Sequence, residues 1–246
     1  MAVTDLSGPD LSTARSTVDL NADLGEEVTD DEALLTVVTS ANVACGFHAG
    51  SPAIMRAVCE GAVARGVSIG AQVSYADREG FGRRPLDVPH RVLRAQVAEQ
   101  AGLLADLARA AGGAVAYLKP HGALYHRTRT DHEQADAVWA GWVDAGLGAL
   151  PVLGMPGALL TLAATTGRGV RHEGFPDRAY TPDGALVDRS LPGAVITDGP
   201  EIASRALVLA PTVDSLCVHG DHPGAVEHAR EVRAALEAAG WRLAGL

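Results

Sequence analysis

Polar side chains that can do acid–base chemistry collect at the ends of short apolar segments. Each segment has the length and composition of a β-strand, and a carboxylate, imidazole, amide or ammonium group comes at or just after its end. Because the carboxyl ends of parallel strands build the active site in α/β folds, we expect these groups to meet in one pocket. In chain order they are Asn21, Asp23, Glu26, His48, Lys119, His121, Glu173, His219 and Asp221.

The segment Lys119-Pro120-His121-Gly122 is the strongest single candidate. Lys119 is the only lysine among 20 basic residues. Partial burial at a strand end would lower the pKa of its ammonium group, and the neighbouring imidazole would titrate near neutrality. We expect this pair to polarise a carbonyl or to bind a negative group. The alternative is a lysine whose ammonium group only reaches solvent.

Two further motifs place donors beside glycine-rich backbone. Cys45–Gly50 contains His48, and its glycines allow either close approach to a ligand or a tight turn. Gly80–Arg84 is typical of a carboxylate or phosphate clamp, or of a solvated loop. The chain has no GxxxxGK[ST] or strand-linked GxGxxG nucleotide cradle and no GxSxG nucleophile elbow. General acid–base chemistry is the simplest mechanism, and metal ligation by scattered Asp and His residues stays open because no HExxH spacing is present.

Short apolar runs alternate with segments of helical period, which predicts parallel strands with helices packed outside them. We predict an α/β domain over residues 17–246, preceded by a mobile N-terminal tail at 1–16. Helices are expected to begin at Pro52, Pro89 and Pro223, and two long connections, Ser74–Val88 and Gly174–Gly193, are expected to be functional or disordered. The seven predicted strands are Thr17–Asn21, Ser40–Cys45, Val67–Val73, Ala114–Lys119, Pro151–Gly154, Gly169–Glu173 and Asp214–His219.

Composition excludes several classes of protein. Among 246 residues, 47% are hydrophobic, which is enough for a buried core. The formal charge of −10 has the wrong sign for a nucleic-acid binder. No apolar run approaches a membrane span and no signal-peptide core is visible, so we expect a cytoplasmic protein. Three cysteines without CxxC spacing indicate reduced thiols.

Six ordered blocks of sequence together resemble the family of 5-oxoprolinase A subunits, also called the LamB/YcsF family. They extend over nearly the whole chain in family order. The blocks are Asp19–Glu26, Ser40–Gly50, Gly80–Arg84, Lys119–Tyr125, Glu173–Tyr180 and Cys217–Asp221.

The resemblance implies a seven-stranded (β/α) barrel of the kind shared by glycoside hydrolases and polysaccharide deacetylases. It implies ATP-dependent opening of 5-oxo-L-proline to L-glutamate, with ATP as co-substrate. The A subunit in this family works with subunits B and C, which activate the lactam by phosphorylation, and this would explain the missing nucleotide cradle. The resemblance leaves the metal requirement unknown.

The same resemblance suggests a role for each candidate residue. As a hypothesis, Asp23 or His48 is the general base toward water, and Lys119 with His121 stabilises an oxyanion or a phosphate. His219 and Asp221 would form a second acid–base or orienting pair. The predicted substrate-binding residues are Asn21, Glu26, Arg83, Glu173, His219 and Asp221.

The chain departs from the family pattern at Gln72-Val73, where many members have His-Pro. Glutamine is no acid–base catalyst and a poor metal ligand, so Gln72 has no predicted catalytic role. Two other functions stay open. One is a stand-alone, metal-dependent deacetylase-like amidohydrolase acting on a small N-acyl substrate, which would be active without ATP. The other is a non-catalytic binding subunit, in which substitutions of Asp23 and Lys119 would leave complex activity unchanged.

Overall fold

The first strand shows how the barrel is built, because its sequence alternates polar and apolar residues. In the computed structural model, which describes residues 16–220 and 224–246, β1 spans Thr17–Leu24. Leu20 packs into the main hydrophobic core, while Asp19, Asn21 and Asp23 on the opposite face hydrogen-bond to polar groups of other strands. Successive strand residues point to opposite faces, so one face of β1 packs under the helices and the other fills a polar barrel interior.

Seven parallel strands close into a barrel, because β1 pairs with both β2 and β7. This confirms the predicted seven-stranded (β/α) architecture. A short eighth strand, β8 (Arg242–Leu243), pairs with the start of β1, and two residues are too few for the sequence pattern to reveal. The remaining strands are β2 (Ser40–Ala44), β3 (Ser68–Val73), β4 (Val115–Pro120), β5 (Val152–Gly154), β6 (Val170–Gly174) and β7 (Ser215–Cys217).

Eight α-helices lie in the described residues, placed between the strands along the chain. The predicted start of a helix at Pro52 is confirmed, and Ser51 caps it by accepting a hydrogen bond from the backbone NH of Ile54. None of the helices in the described ranges combines the length and apolar character needed to cross a bilayer. The helices are α1 (Asp31–Leu35), α2 (Pro52–Arg65), α3 (His90–Ala110), α4 (Gly122–Thr130), α5 (His132–Asp144), α6 (Ala158–Thr165), α7 (Gly199–Leu209) and α8 (Ala225–Ala238).

Some predicted boundaries were wrong. β1 continues three residues beyond Asn21, so Asp23 lies within the strand and points into the barrel rather than into a loop. Conversely, β7 ends at Cys217, which places His219 beyond the strand. α3 begins at His90, one residue after Pro89. Residues 1–15 of the predicted tail, Asp221 and the predicted helix start at Pro223 lie outside the described residues.

A glycine in β3 makes room for a tyrosine in the neighbouring strand. A Cβ atom on Gly70 would lie 2.3 Å from two ring carbons of Tyr117 on β4. The Tyr117 hydroxyl in turn donates a hydrogen bond of 2.6 Å to Oδ1 of Asn42 on β2. Side chains in the polar interior therefore join β4 to β2 across the intervening β3, in addition to the backbone ladder between neighbouring strands.

Candidate active site

A cavity of about 660 Å³ opens at the carboxyl ends of the strands. Its walls come from β1, from β4 and the start of α4, and from the two long connections that were expected to be functional or disordered. The cavity confirms that these strand ends and connections converge. Of the predicted site residues, those lining it are Asp23, Glu26, Arg83, Lys119, His121 and His219.

Lys119 is the electrostatic centre of the cavity floor. Its Nζ atom lies 2.8 Å from Oε1 of Glu173, 3.1 Å from Oδ1 of Asp23, 3.3 Å from Oδ1 of Asn21 and 3.2 Å from Sγ of Cys217. Burial alone would lower the pKa of this ammonium group, but the nearby negative groups outweigh it and hold the pKa well above the ordinary lysine value. The predicted lowering of the Lys119 pKa was therefore wrong, since the sequence does not show which carboxylates surround the residue.

Asp23 is held in its ionised form by the same contacts. Burial acts to raise its pKa, but the positive charge of Lys119 and the neighbouring imidazoles of His121 and His219 lower it to about 2. Asn42 donates a further hydrogen bond of 2.9 Å to the same carboxylate oxygen. A carboxylate with so low a pKa is a weak proton acceptor near neutral pH.

His121 is locked as a neutral imidazole. Its Nε2 atom lies 3.0 Å from the carbonyl oxygen of Phe81, to which it donates, and its Nδ1 accepts a hydrogen bond of 3.0 Å from Nε2 of Gln72. Burial and the adjacent His48 ring hold the pKa of His121 well below the ordinary histidine value. Gln72 therefore takes part in the site as a hydrogen-bond donor, although it had no predicted catalytic role.

His48 lies behind His121 and does not line the cavity. The two rings stack with centroids 4.0 Å apart and planes 13° apart, and His48 is only 1% exposed. Its Nε2 atom is 3.4 Å from Oε1 of Glu26, whose pKa burial and the nearby Asp23 raise. In this arrangement His48 supports the His121 ring from behind.

Glu26, His48 and His121 also form a candidate set of metal ligands, since one donor atom from each lies within 4.8 Å of the others. Zinc binds imidazole nitrogen at about 2.0–2.1 Å along the lone pair, which lies in the ring plane. Two nearly parallel stacked rings cannot both contain one ion in their planes. The three side chains could therefore ligate a single ion only after one of the rings rotates.

A second acid–base pair lies across the cavity, formed by His219 and Asp177. Nδ1 of His219 is 2.9 and 3.0 Å from the two carboxylate oxygens of Asp177, and the backbone NH of His219 donates to Oδ2 at 2.9 Å. Burial acts to raise the pKa of Asp177, but the charge and hydrogen bonds of His219 lower it. The predicted partner, Asp221, lies outside the described residues, so that pairing stays a prediction.

Sequence reasoning missed Asp177, although the residue belongs to the quoted block Glu173–Tyr180. The available signal was an aspartate four residues after the strand-end Glu173, within one of the two long connections. Two predicted substrate-binding residues, Asn21 and Glu173, lie beneath Lys119 instead of lining the cavity. Arg83 does line it, with its guanidinium carbon 4.8 Å above the centre of the Phe81 ring.

Comparisons with known proteins agree on one family. The model of the LamB/YcsF family matches residues 18–246. A protein of Streptomyces coelicolor, named as the A subunit of 5-oxoprolinase, is 57% identical over 243 residues, which are 91% of this chain and 97% of the relative. A protein of the same name from Mycolicibacterium gilvum is 51% identical over 249 residues, covering 93% of this chain and 98% of the relative.

Solved structures show the same likeness. The lactam utilization protein from Thermus thermophilus superposes with a TM-score of 0.86 at 38% identity, covering 94% of this chain and 100% of that one. A peptidoglycan N-acetylglucosamine deacetylase superposes with a TM-score of 0.55 at 14% identity, covering 94% and 86% of the two chains. The second likeness concerns the barrel fold alone.

Proposed function

The chain belongs to the LamB/YcsF family, and from that membership we propose that it is the A subunit of an ATP-dependent 5-oxoprolinase, which opens 5-oxo-L-proline to L-glutamate together with subunits B and C. The observation that carries the proposal is the 57% identity to a protein named as the A subunit of 5-oxoprolinase, over 97% of that relative's length. The thermophilic neighbour named as a lactam utilization protein supports the same substrate class.

The chemistry of the cavity supports an anionic lactam as substrate. Arg83 lies on the wall, where its guanidinium can bind the substrate carboxylate. The ammonium group of Lys119 lies at the floor, where charge develops on the carbonyl oxygen during hydrolysis. A volume of about 660 Å³ leaves space for the lactam together with an activating phosphoryl group.

The need for ATP follows from the substrate. A five-membered lactam is a resonance-stabilised amide, and opening it is slow and unfavourable near neutral pH. Phosphorylation of the lactam oxygen makes the carbonyl carbon more electrophilic. Because this chain has no GxxxxGK[ST] or GxGxxG cradle, we assign the use of ATP to the complex with subunits B and C.

The test is glutamate formation from 5-oxo-L-proline and ATP, measured for this chain alone, for subunits B and C alone, and for all three together. Activity only in the full mixture is the expected result. Lys119→Ala should abolish turnover in a folded complex, while Arg109→Ala, an exposed basic control on α3, should not. The proposal fails if folded partners from the same source give no glutamate with this chain, or if Lys119→Ala leaves the rate near normal.

The alternative is a stand-alone metal-dependent amidohydrolase acting on a small N-acyl substrate, in which Glu26, His48 and His121 would hold the ion after one of the two stacked rings rotates. Hydrolysis by this chain alone, without ATP and restored by a divalent ion after chelation, would replace the first proposal with the second.

A further inference from the structure

The general base of the reaction is the open question in the site, and both bases predicted from sequence are poorly suited to it. Asp23 has a pKa of about 2, so it accepts a proton weakly. His48 is 1% exposed and is not among the residues that line the cavity. His121 lines the cavity, but both of its ring nitrogens are already hydrogen-bonded.

His126, a fourth imidazole, lines the cavity but is held neutral. Burial and the positive charges of Arg178 and Arg129 lower its pKa to about 4. No carboxylate is hydrogen-bonded to it among the described residues. An imidazole in such surroundings does not gain a proton readily during a reaction.

His219 differs from these groups in having an ionised carboxylate fixed behind it. Asp177 is 1% exposed, and three contacts of 2.9–3.0 Å join it to the Nδ1 and backbone NH of His219. With Nδ1 donating to Asp177, the other ring nitrogen, Nε2, has no hydrogen-bond partner among residues 16–220 and 224–246 and can act on a bound substrate. His219 also lines the cavity, and the Phe175 ring stacks against it with centroids 5.3 Å apart.

The position of Phe175 also places His219 relative to the charged floor. Nζ of Lys119 lies 5.6 Å from the centre of the Phe175 ring, whose plane is 25° from that of His219. Lys119 and His219 are thus both neighbours of one ring and both line one cavity. A lactam bound there can direct its carbonyl oxygen toward the floor while its ring nitrogen and an attacking water face His219.

We propose that His219 is the catalytic base and acid of the lactam opening and that Asp177 is its positioning residue. This proposal rests on the proposed function. Neutral His219 takes a proton from water at Nε2 as the water oxygen bonds to the phosphorylated carbonyl carbon. When the bond between that carbon and the ring nitrogen breaks, its electron pair goes to nitrogen, which takes the same proton back from Nε2, and the added hydroxyl loses its proton as its oxygen becomes a carbonyl. The product is the acyl phosphate of glutamate, and a second water cleaves it to glutamate and inorganic phosphate. Asp177 keeps the Nδ1 proton in place and stabilises the transient imidazolium.

The experiment compares His219→Ala and Asp177→Asn with a matched control, Asp183→Asn, which changes an exposed aspartate in the same connection outside the cavity lining. Glutamate formation by the full complex is measured from pH 5 to 9. His219→Ala should reduce kcat by about 10²–10⁴-fold, the usual contribution of a general acid–base group. The control should keep the wild-type profile.

Asp177→Asn tests the positioning role through the ring tautomer. The amide of an asparagine can donate to Nδ1, which places the ring proton on Nε2, the atom that must accept the proton of water. Asp177→Asn should therefore lower kcat by about 10²–10⁴-fold with little change in KM, and Asp177→Glu, which keeps a carboxylate, should restore part of the loss. A kcat of Asp177→Asn near the wild-type value, or no recovery in Asp177→Glu, would overturn the role of Asp177.

Two further measurements separate this proposal from the proposed function. Nitrogen NMR of the His219 ring in the full chain, identified by its loss in His219→Ala, should show the ring proton on Nδ1 in the wild type and on Nε2 in Asp177→Asn, even if no lactam is turned over. Exogenous imidazole should restore part of the kcat of His219→Ala, since the deleted group leaves space in the cavity. A wild-type complex that forms no glutamate refutes the proposed function. A His219 ring whose tautomer does not change in Asp177→Asn, or a His219→Ala variant with normal activity, refutes the dyad.

Discussion

Replacing Lys119 with methionine should make the stability of the protein depend on pH in a way that reveals the charge balance of the barrel floor. In the wild-type protein the pKa of Asp23 is about 2, below its ordinary value of 3.8. A carboxyl group whose pKa is lowered by folding adds stability above about pH 4, and that stability is lost as the pH falls toward 2. Removing one partner of a buried ion pair generally costs about 3–5 kcal/mol at neutral pH.

Asp19 shows what happens to a buried carboxyl group of this barrel without a lysine. Burial raises its pKa to about 6, even though Ser215, Thr39 and Ser40 donate hydrogen bonds to it. If Asp23 behaves like Asp19 in Lys119→Met, its folded pKa lies about two units above its unfolded one. The variant then loses about 3 kcal/mol of stability as the pH rises from 4 to 6, since one pKa unit corresponds to about 1.4 kcal/mol.

Urea unfolding at pH 4.5, 5.5 and 7 measures this difference. The gap in unfolding free energy between wild type and Lys119→Met should widen by about 2–3 kcal/mol across the series. Asp19 titrates in both proteins and cancels from the comparison. Adding Asp23→Asn to the variant should reduce the widening, because Asp23 is one of the two buried carboxylates that lose Lys119. A gap that stays constant with pH would refute the conclusion that Lys119 keeps Asp23 ionised.

Three other predictions follow from particular contacts. Gly70→Ala forces a Cβ against the Tyr117 ring and should lower the free energy of unfolding, measured with urea, by about 1–3 kcal/mol. The control Gly102→Ala, in open space on α3, should raise the free energy of unfolding by up to about 1 kcal/mol. Equal effects of the two substitutions would contradict the packing argument. The His121 ring should titrate in NMR at a pH well below the ordinary histidine value, because burial and the adjacent His48 ring lower its pKa, and a midpoint near 6.5 would contradict the locked neutral form. Calorimetry with Zn²⁺ should detect no site tighter than about 1 µM, as expected for stacked rings that do not converge on one ion; a tighter site lost in His48→Ala would contradict this.

The barrel could be predicted from sequence because its outward faces follow simple rules. Apolar strand residues and helical periods recur in order, and Pro52 after a capping Ser51 marks a helix start. The end of β1 could not be predicted in the same way. Asp23 resembles a loop residue by type, yet it belongs to a strand whose inner face is polar. Polar residues at every second position of a strand usually indicate its solvent-exposed face, whereas in this barrel they face the interior.

The candidate site was partly predictable, because the carboxyl ends of parallel strands meet at one end of a barrel. Strand order brings Asp23, Lys119 and His121 to one end of the barrel, and their types suggested chemistry. Their protonation was not predictable, because it depends on which side chains meet across the barrel. Lys119 gained two carboxylate neighbours that lie 96 and 54 positions away in the chain, and these reversed the sign of its predicted pKa shift.

The charge distribution also fixes how a substrate anion should enter. The floor contains the carboxylates of Asp23 and Glu173 with a single ammonium group, Lys119, bonded to both. A substrate carboxylate placed there would face two negative groups that share one cation. Arg83 and Arg178 line the walls of the same cavity and bring positive charge to them. The carboxylate of a lactam acid should therefore bind at the arginine-lined wall, which leaves the amide end to reach Lys119 and His219.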